Sequence, residues 1–385
     1  MHTSAVETQA LTHAHAQAIG FAMLLAGRVD SERRLRQAQR CLRFLGIDDF
    51  VDCSLSTGGN ERHLHFRASH RLLVLCPDFD TANITTFLRT RQSQKDPAQM
   101  SEIILAMALS PNVVYFSSEQ ELKSNLRMRC TVVKVASRTE LNFDTSSITR
   151  PQAYWIYTKE NGFLLRQGVS LADGLERALC PDVSGYTYAF SCQRASEYLI
   201  LYAVVCELQR VNKTGLNDVE QQWRKRALTG DDFLFRFLGE RGTRENPMPM
   251  RYYIPGDRIW FKNPDDHSSD IEGFEGSWVI YLGGGRFCNL WDCRSPYTLE
   301  EKCLEIYYWS QCVEVSPAGL PWMNEAVVKE RVQLALDDPA IKKPILQKMM
   351  VYRDPTGVYA DGGCIDLSRD SFSALSNISE RMQSV

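Results

Sequence analysis

"YAFSCQRASEYLILYAVV", residues 188–205, sets a cysteine at the head of a long apolar segment. Over 195–211 the apolar residues recur with helical period, so Leu199, Tyr202, Val205, Cys206 and Leu208 are expected on one buried face. Cys192 then lies at or just before the first turn, where free N–H groups and the positive end of the helix dipole stabilise a thiolate. That position predicts the most reactive thiol of the chain. Cysteine is also a common small buried hydrophobe, so the placement needs support from elsewhere in the sequence.

The support lies downstream. "PGDRIWF", 255–261, reads as a turn entering a strand, and "SWVIYL", 277–282, as a second strand. Gly283, Gly284 and Gly285 form a hairpin turn, after which "RFCNLW", 286–291, returns antiparallel. A three-residue loop sets Leu282 opposite Arg286 and Val279 opposite Asn289. Ser277, Val279, Asn289 and Trp291 then share one face, with 277 and 289 diagonal neighbours about 7–8 Å apart. Helix-borne cysteine, strand-borne base position and neighbouring polar residue are the layout of a papain-like thiol site.

Working outward, "ELKSNLRMRCTVVKVA" (121–136) reads as an amphipathic helix, "QAYWIYT" and "GFLLRQG" as a strand pair about "KENG", and "SLADGLERAL" as a short helix. Toward the N-terminus, residues 11–27 read as helical, with "AIGFAMLLA" (18–26) a core helix, since no Lys or Arg precedes Arg28 to make a secretory n-region. Ser31 is expected to cap the helix "ERRLRQAQRCLRFL", whose arginines 33, 34, 36, 40 and 43 form a solvated face beside Asp48 and Asp49. "RLLVLC" (71–76) reads as a short buried strand stopped by Pro77, and "RQSQKDPAQ" (91–99) as a polar loop. His63 and His65 alternate on one strand face without a third ligand at metal spacing. The expected organisation is a mostly helical or mixed region over 1–110, a domain over 115–365 and a loose Ser-rich tail over 366–385.

A net charge of -3 and a pI near 6.2 argue against a general nucleic-acid binder, and the apolar runs are too short to span a bilayer. Twelve scattered cysteines without C-x-x-C point to mostly buried free thiols in a reducing compartment, with a disulfide-bearing reading left open. The expected location is cytoplasmic, or outside the cell by a route without a Sec signal.

The stretches "ELKSNLRMR" (121–129), "YWIYTKENGFLLRQG" (154–168), "YAFSCQRA" (188–195), "GDRIWFKNP" (256–264) and "GSWVIYLGGGRF" (276–287), with a weaker echo in "KPILQKMM" (343–350), resemble the bacterial spore-coat type of protein-glutamine gamma-glutamyltransferase. That resemblance covers about 115–355 and implies an α+β, NlpC/P60-like papain fold: a nucleophile-bearing helix packed on an antiparallel sheet. It implies Cys192 as the nucleophile that attacks a glutamine carboxamide, forming a thioester that a lysine amine or water resolves. No cofactor or metal is implied, and the partner is a protein substrate.

The sequence departs from that family at every usual base. Ser191 stands where one family carboxylate precedes the cysteine, Ser277 where the other begins the strand, and Asn289 where a histidine follows the hairpin. Serine has no accessible pKa for base work. Relocated bases are Glu275, which strand alternation aims at the same face as Ser277, Glu272 in the preceding turn, and His267 in the loop after "FKNP". Asn289 is the matching orienter, as asparagine is in papain-type triads. Two readings follow: an acyltransferase or glutamine deamidase using Cys192, or a pseudoenzyme of the same fold that binds a protein partner in a groove lined by aromatics such as Trp278, Trp291, Tyr186 and Tyr188.

Overall fold

The computed structural model describes residues 20–25, 30–58, 61–88, 95–143, 148–354 and 362–383. Two apolar runs near the start exchange the roles expected of them. "AIGFAMLLA" contributes strand β1 (Phe21–Leu24), not a core helix; the earlier part of that expected helix, residues 11–19, lies outside the described residues, as do 91–94 of the expected loop. β1 pairs with neighbours on both edges, so its apolar residues carry no alternation to mark them as a strand. "RLLVLC" is instead a helix, His70–Leu75, started by the Ser69 hydroxyl, which accepts from the Leu72 N–H. A run of five apolar residues is long enough for either state, and here the cap decides.

β1 lies in a four-stranded sheet with β2 (Val51–Gly58), β3 (Glu61–Ala68) and β4 (Val114–Phe116), in the order β2-β3-β1-β4. The described residues before 110 are therefore mixed, the second of the two expected alternatives, and are organised on a sheet. The helix Ser31–Phe44 is capped by Asp30, not Ser31, and its arginines are exposed except Arg34, which pairs with Glu119 at 2.5 Å. His63 and His65 share one face of β3, and His65 Nε2 lies 2.6 Å from the Ser56 hydroxyl. No group of three His, Cys, Asp or Glu side chains able to hold a metal occurs among the described residues.

Helix α1 (Glu119–Ala136) leads into the second half, where helix α2 (Cys192–Val211) forms the axis of the larger core. α2 was expected to bury one face. It buries nearly its whole circumference, including Leu199, Ile200, Leu201, Ala203, Val204, Val205 and Leu208, while Tyr202 and Cys206 are half-buried. A helix apolar on every side belongs inside a core, and α1, the helix Leu171–Leu179, the helix Lys213–Lys225 and one face of a sheet surround it.

That sheet holds β5 (Leu238–Arg241), β6 (Arg258–Lys262), β7 (Gly276–Gly283), β8 (Arg286–Phe287) and β9 (Arg369–Phe372), in the order β8-β7-β6-β9-β5, with every pairing antiparallel. The result is mixed helix and sheet, with helix α3 (Leu299–Trp309) following the hairpin. β9 comes from the supposedly loose tail and fills the middle of the sheet. Its serines hide a strand whose Arg369 is buried over the Tyr253 ring, 4.4 Å from the centroid, and whose last residue, Phe372, is also buried. The β7–β8 hairpin also differs by one residue. Tyr281 pairs with Phe287 as the expected register requires, but Gly283 pairs with Arg286 across a bulge, leaving Gly284 and Gly285 as a two-residue turn. Both have positive φ, 61° and 71°, which suits a primed hairpin turn.

The "PGD" turn before β6 is held by charge. Asp257, with no solvent exposure, accepts from Arg129 Nη1 of α1 at 2.9 Å, from Arg241 Nη2 of β5 at 2.7 Å and from the Ile254 N–H at 2.9 Å. Gly256 lets the backbone pass α1: a Cβ there would sit 3.0 Å from Arg129 Cα, at a φ of +88°. Asp257→Ala is expected to destabilise the protein by about 3–5 kcal/mol, because two guanidinium groups lose their carboxylate. Urea unfolding of variant against wild type measures this, and a loss under about 1 kcal/mol contradicts a buried-ion role.

Candidate active site

The strand Ala189–Phe190 delivers the chain to the site. Arg150 fixes it: the guanidinium lies 3.1 Å from the Phe190 ring centroid and donates to the Ala189 carbonyl at 2.8 Å. Burial lowers the Arg150 pKa to about 10, which leaves it cationic at neutral pH. Ser191 is the N-cap of α2, its hydroxyl accepting from the Arg194 N–H at 3.3 Å, so Cys192 is the first helical residue. One turn on, Ser196 Oγ accepts from Arg258 Nε at 2.9 Å. Arg258 also stacks 3.5 Å from the Trp278 ring centroid and pairs with Asp370 at 2.7 Å. The start of α2 is thereby tied to β6, β7 and β9.

Cys192 is half-buried. Its thiol pKa is raised, with burial the dominant cause. Opposing that, the nearby Trp278 backbone, the Lys302 ammonium and the Gln193 backbone favour the thiolate, while the Glu275 carboxylate adds to the rise. The expected greatest reactivity is therefore not favoured by this environment, since Cys41 is an exposed thiol. All twelve cysteines are free, and Cys303 and Cys364 touch at 3.5 Å.

The structure brings Cys192 against β7 at Trp278, one residue from Ser277, which pairs across the sheet with Phe261. Glu275 is exposed in the bend before β7, where its carbonyl accepts from the Asn263 N–H at 3.0 Å. It is the nearby carboxylate whose charge reaches Cys192. Glu272 and His267 are exposed farther back in the same connection, His267 within the short helix Asp266–Ser269. Asn289 turns its side chain into its own loop: Oδ1 accepts from Trp291 and Asp292 N–H at 3.1 and 3.3 Å, and Nδ2 donates to the Ser295 carbonyl at 3.2 Å. Those bonds form because the ladder ends after Cys288, leaving residue 289 to cap the following turn.

Beside Trp278 runs a groove walled by Phe235, Arg258, Trp260, Glu275, Trp278 and Asp370. Trp260 and Trp278 face each other across the β6–β7 pair with centroids 4.9 Å apart. Arg150, Arg258 and Lys302 escaped the sequence reading. Lys302 had a visible sign: it sits three residues after Leu299 and four before Ile306, on a stripe otherwise apolar.

The family model for protein-glutamine gamma-glutamyltransferase matches residues 81–373. The chain belongs to that family. The match starts at Thr81, well before the boundary near 110 drawn from composition. Thr81 is also where the N-terminal region bonds to the second half, its N–H donating to the Arg251 carbonyl at 3.3 Å and its hydroxyl accepting from the Tyr253 N–H at 3.0 Å. The chain is also similar to a protein-glutamine gamma-glutamyltransferase of Halalkalibacterium halodurans, 24% identical over 201 residues, covering 51% of this chain and 65% of the relative, just under two-thirds of its length. Among solved structures it is similar to a transglutaminase from Geobacillus stearothermophilus without its C-terminal extension, at 19% identity and a TM-score of 0.37, covering 56% of this chain and 98% of that one. No helix among the described residues is long and apolar enough to cross a membrane.

Because burial raises the Cys192 pKa above its ordinary value of 9.0, its alkylation rate should still be climbing at pH 9. Iodoacetamide labelling followed by peptide mass mapping across pH 6–10 tests this, with Cys41 expected to label first at neutral pH. A Cys192 rate already flat between pH 7 and 9 would show a low-pKa thiolate and overturn the burial argument.

Proposed function

We propose that the protein acts on glutamine side chains of other proteins through Cys192, on a papain-like core. The observation that carries this reading is the thiol at the first position of α2, packed against β7, with the acidic residue Glu275 in the bend just before that strand. The Cys192 sulfur attacks the carboxamide carbon and its proton passes to Glu275. Backbone N–H groups at the start of α2 steady the oxyanion. The C–N bond breaks, ammonia leaves with that proton, and a thioester remains. A primary amine or water then attacks the thioester and regenerates the thiol, giving crosslinking, amine incorporation or deamidation. Glu275 is favoured over Glu272 and His267 as base because it stands nearest in sequence to β7, lines the groove and acts on the sulfur. Asn289 contributes by shaping the loop after β8, and Ser277 occupies the slot of the family carboxylate.

One observation favours a second reading. Ser191 is spent as the helix cap, Asn289 is spent in its own loop and Glu275 is exposed, which suits a pseudoenzyme whose groove holds a protein segment. Incorporation of a fluorescent primary amine into a glutamine-bearing protein separates the two. Cys192→Ala should abolish incorporation and Glu275→Gln should lower it about 10²–10⁴-fold. A wild type without incorporation or deamidation, with Ser277→Glu giving a trace of either, retires the enzyme reading. An active wild type unaffected by Glu275→Gln moves the base to Glu272 or His267.

A further inference from the structure

Cys303 lies in the second turn of α3 and Cys364 in the segment that leads into β9, and neither has any solvent exposure. Their sulfurs touch at 3.5 Å across 61 positions of sequence. The protons are ordered. The Cys364 thiol donates to the Met349 carbonyl at 3.3 Å, so the contact between the sulfurs is made by the Cys303 proton. That hydrogen bond, then burial, raises the Cys303 pKa, and the closed pair holds little thiolate.

Backbone bonds fix Cys364 on its other side. Its N–H donates to the Met349 carbonyl at 3.0 Å, so that carbonyl stays satisfied when the thiol proton is lost. The Cys364 carbonyl accepts from the N–H of Lys262, the last residue of β6, also at 3.0 Å. The next residue, Ile365, bridges Phe261, and Phe261 pairs with Ser277 near the start of β7. A continuous run of backbone pairing therefore joins Cys364 to the beginning of β7. Packing alone is served as well by valine and does not require one sulfur to meet another.

We propose that Cys303 and Cys364 are a disulfide-forming pair whose bond clamps α3 to the segment behind β6 and β7. A disulfide holds its sulfurs about 2.05 Å apart, so rotation of two unbranched side chains shortens the present contact. The oxidant is a low-molecular-weight disulfide, R–S–S–R. One cysteine, as thiolate, attacks it and releases one R–SH. The second cysteine attacks the mixed disulfide and releases the other. Two protons and two electrons leave the cysteines, and both appear in the two R–SH molecules. Because both sulfurs are buried, exchange requires α3 and residues 362–366 to part, and the bond once made is shielded from reductants in the same way. Nothing in this chemistry requires Cys192 to be a nucleophile.

The test holds the full chain in oxidised glutathione, with and without a sub-denaturing concentration of urea. Samples are acid-quenched, blocked with N-ethylmaleimide and mapped as unreduced peptides. A peptide linked through Cys303 and Cys364 is expected, forming faster in urea, while the exposed Cys41 takes a glutathione adduct first. The linked protein should unfold about 5–10 °C higher, because the bond closes a long loop of the unfolded chain. Amide hydrogen exchange at Lys262 should slow. Cys303→Val and Cys364→Val should each remove the linked peptide and the added stability. Absence of the linked peptide in both conditions overturns the proposal, as does glutathione retained on Cys303 or Cys364 without ring closure. A linked peptide that leaves unfolding and Lys262 exchange at their reduced-state values overturns the clamp. Should the valine variants fail to fold, dithiothreitol treatment of the linked wild type decides: added stability that outlasts the linked peptide overturns the proposal equally.

Discussion

One guanidinium joins what the site needs. Arg258 donates to Ser196 on α2, stacks on Trp278 of β7 and pairs with Asp370 of β9. A buried arginine satisfied on three sides leaves little freedom to any of its partners, because displacing one strands a charge away from water. The helix that carries Cys192 therefore cannot slide along the sheet without breaking a hydrogen bond, a ring contact and an ion pair together. β9 is drawn into the same arrangement, which is why a serine-rich end of the chain lies in the middle of a sheet.

Around Cys192 the work of carboxylates is divided among other groups. Ser191 caps the helix, a task its short hydroxyl performs locally, and the sulfur is bounded by two backbone N–H groups, a buried lysine and an exposed glutamate. Glu275 lies at the water-facing side. A site of this kind separates electrostatic support, which is rigid and inside, from acid–base capacity, which is mobile and outside.

Much of the frame was legible because local signals agreed with long-range packing. The α1 and α2 segments, the strand pair about residues 154–168, and the β6 and β7 strands all read correctly from periodicity and turn residues. The failures came where context overrode pattern. Phe21–Leu24, within the apolar run, is a strand paired on both edges, and His70–Leu75 is a helix because Ser69 caps it. β9 was hidden because polar side chains pair with buried ions instead of forming an apolar face. Of the candidate site, the place of Cys192 at the head of α2 and the course of β7 were visible in the sequence. Asn289 was misjudged in detail, since a ladder's length cannot be read from a hairpin turn, and once the ladder stops, an asparagine bonds to its own backbone. Arg258 and Lys302 depend on partners distant in sequence, which no local window contains.

Glu102 belongs to the N-terminal region, yet its carboxylate accepts from the Gly284 N–H at 2.7 Å, and a Cβ on Gly283 would come within 2.6 Å of it. The tip of the β7–β8 hairpin is thus completed by a residue encoded almost two hundred positions earlier. Tyr252 reinforces the link by donating its hydroxyl to the Ala106 carbonyl at 2.9 Å. Mechanically, the N-terminal sheet serves as an abutment for the strand that faces Cys192, so a disturbance there has a direct route to the thiol. The region before residue 110 is then part of the same elastic body as the site, and substitutions far from Cys192 in sequence can retune it through the hairpin.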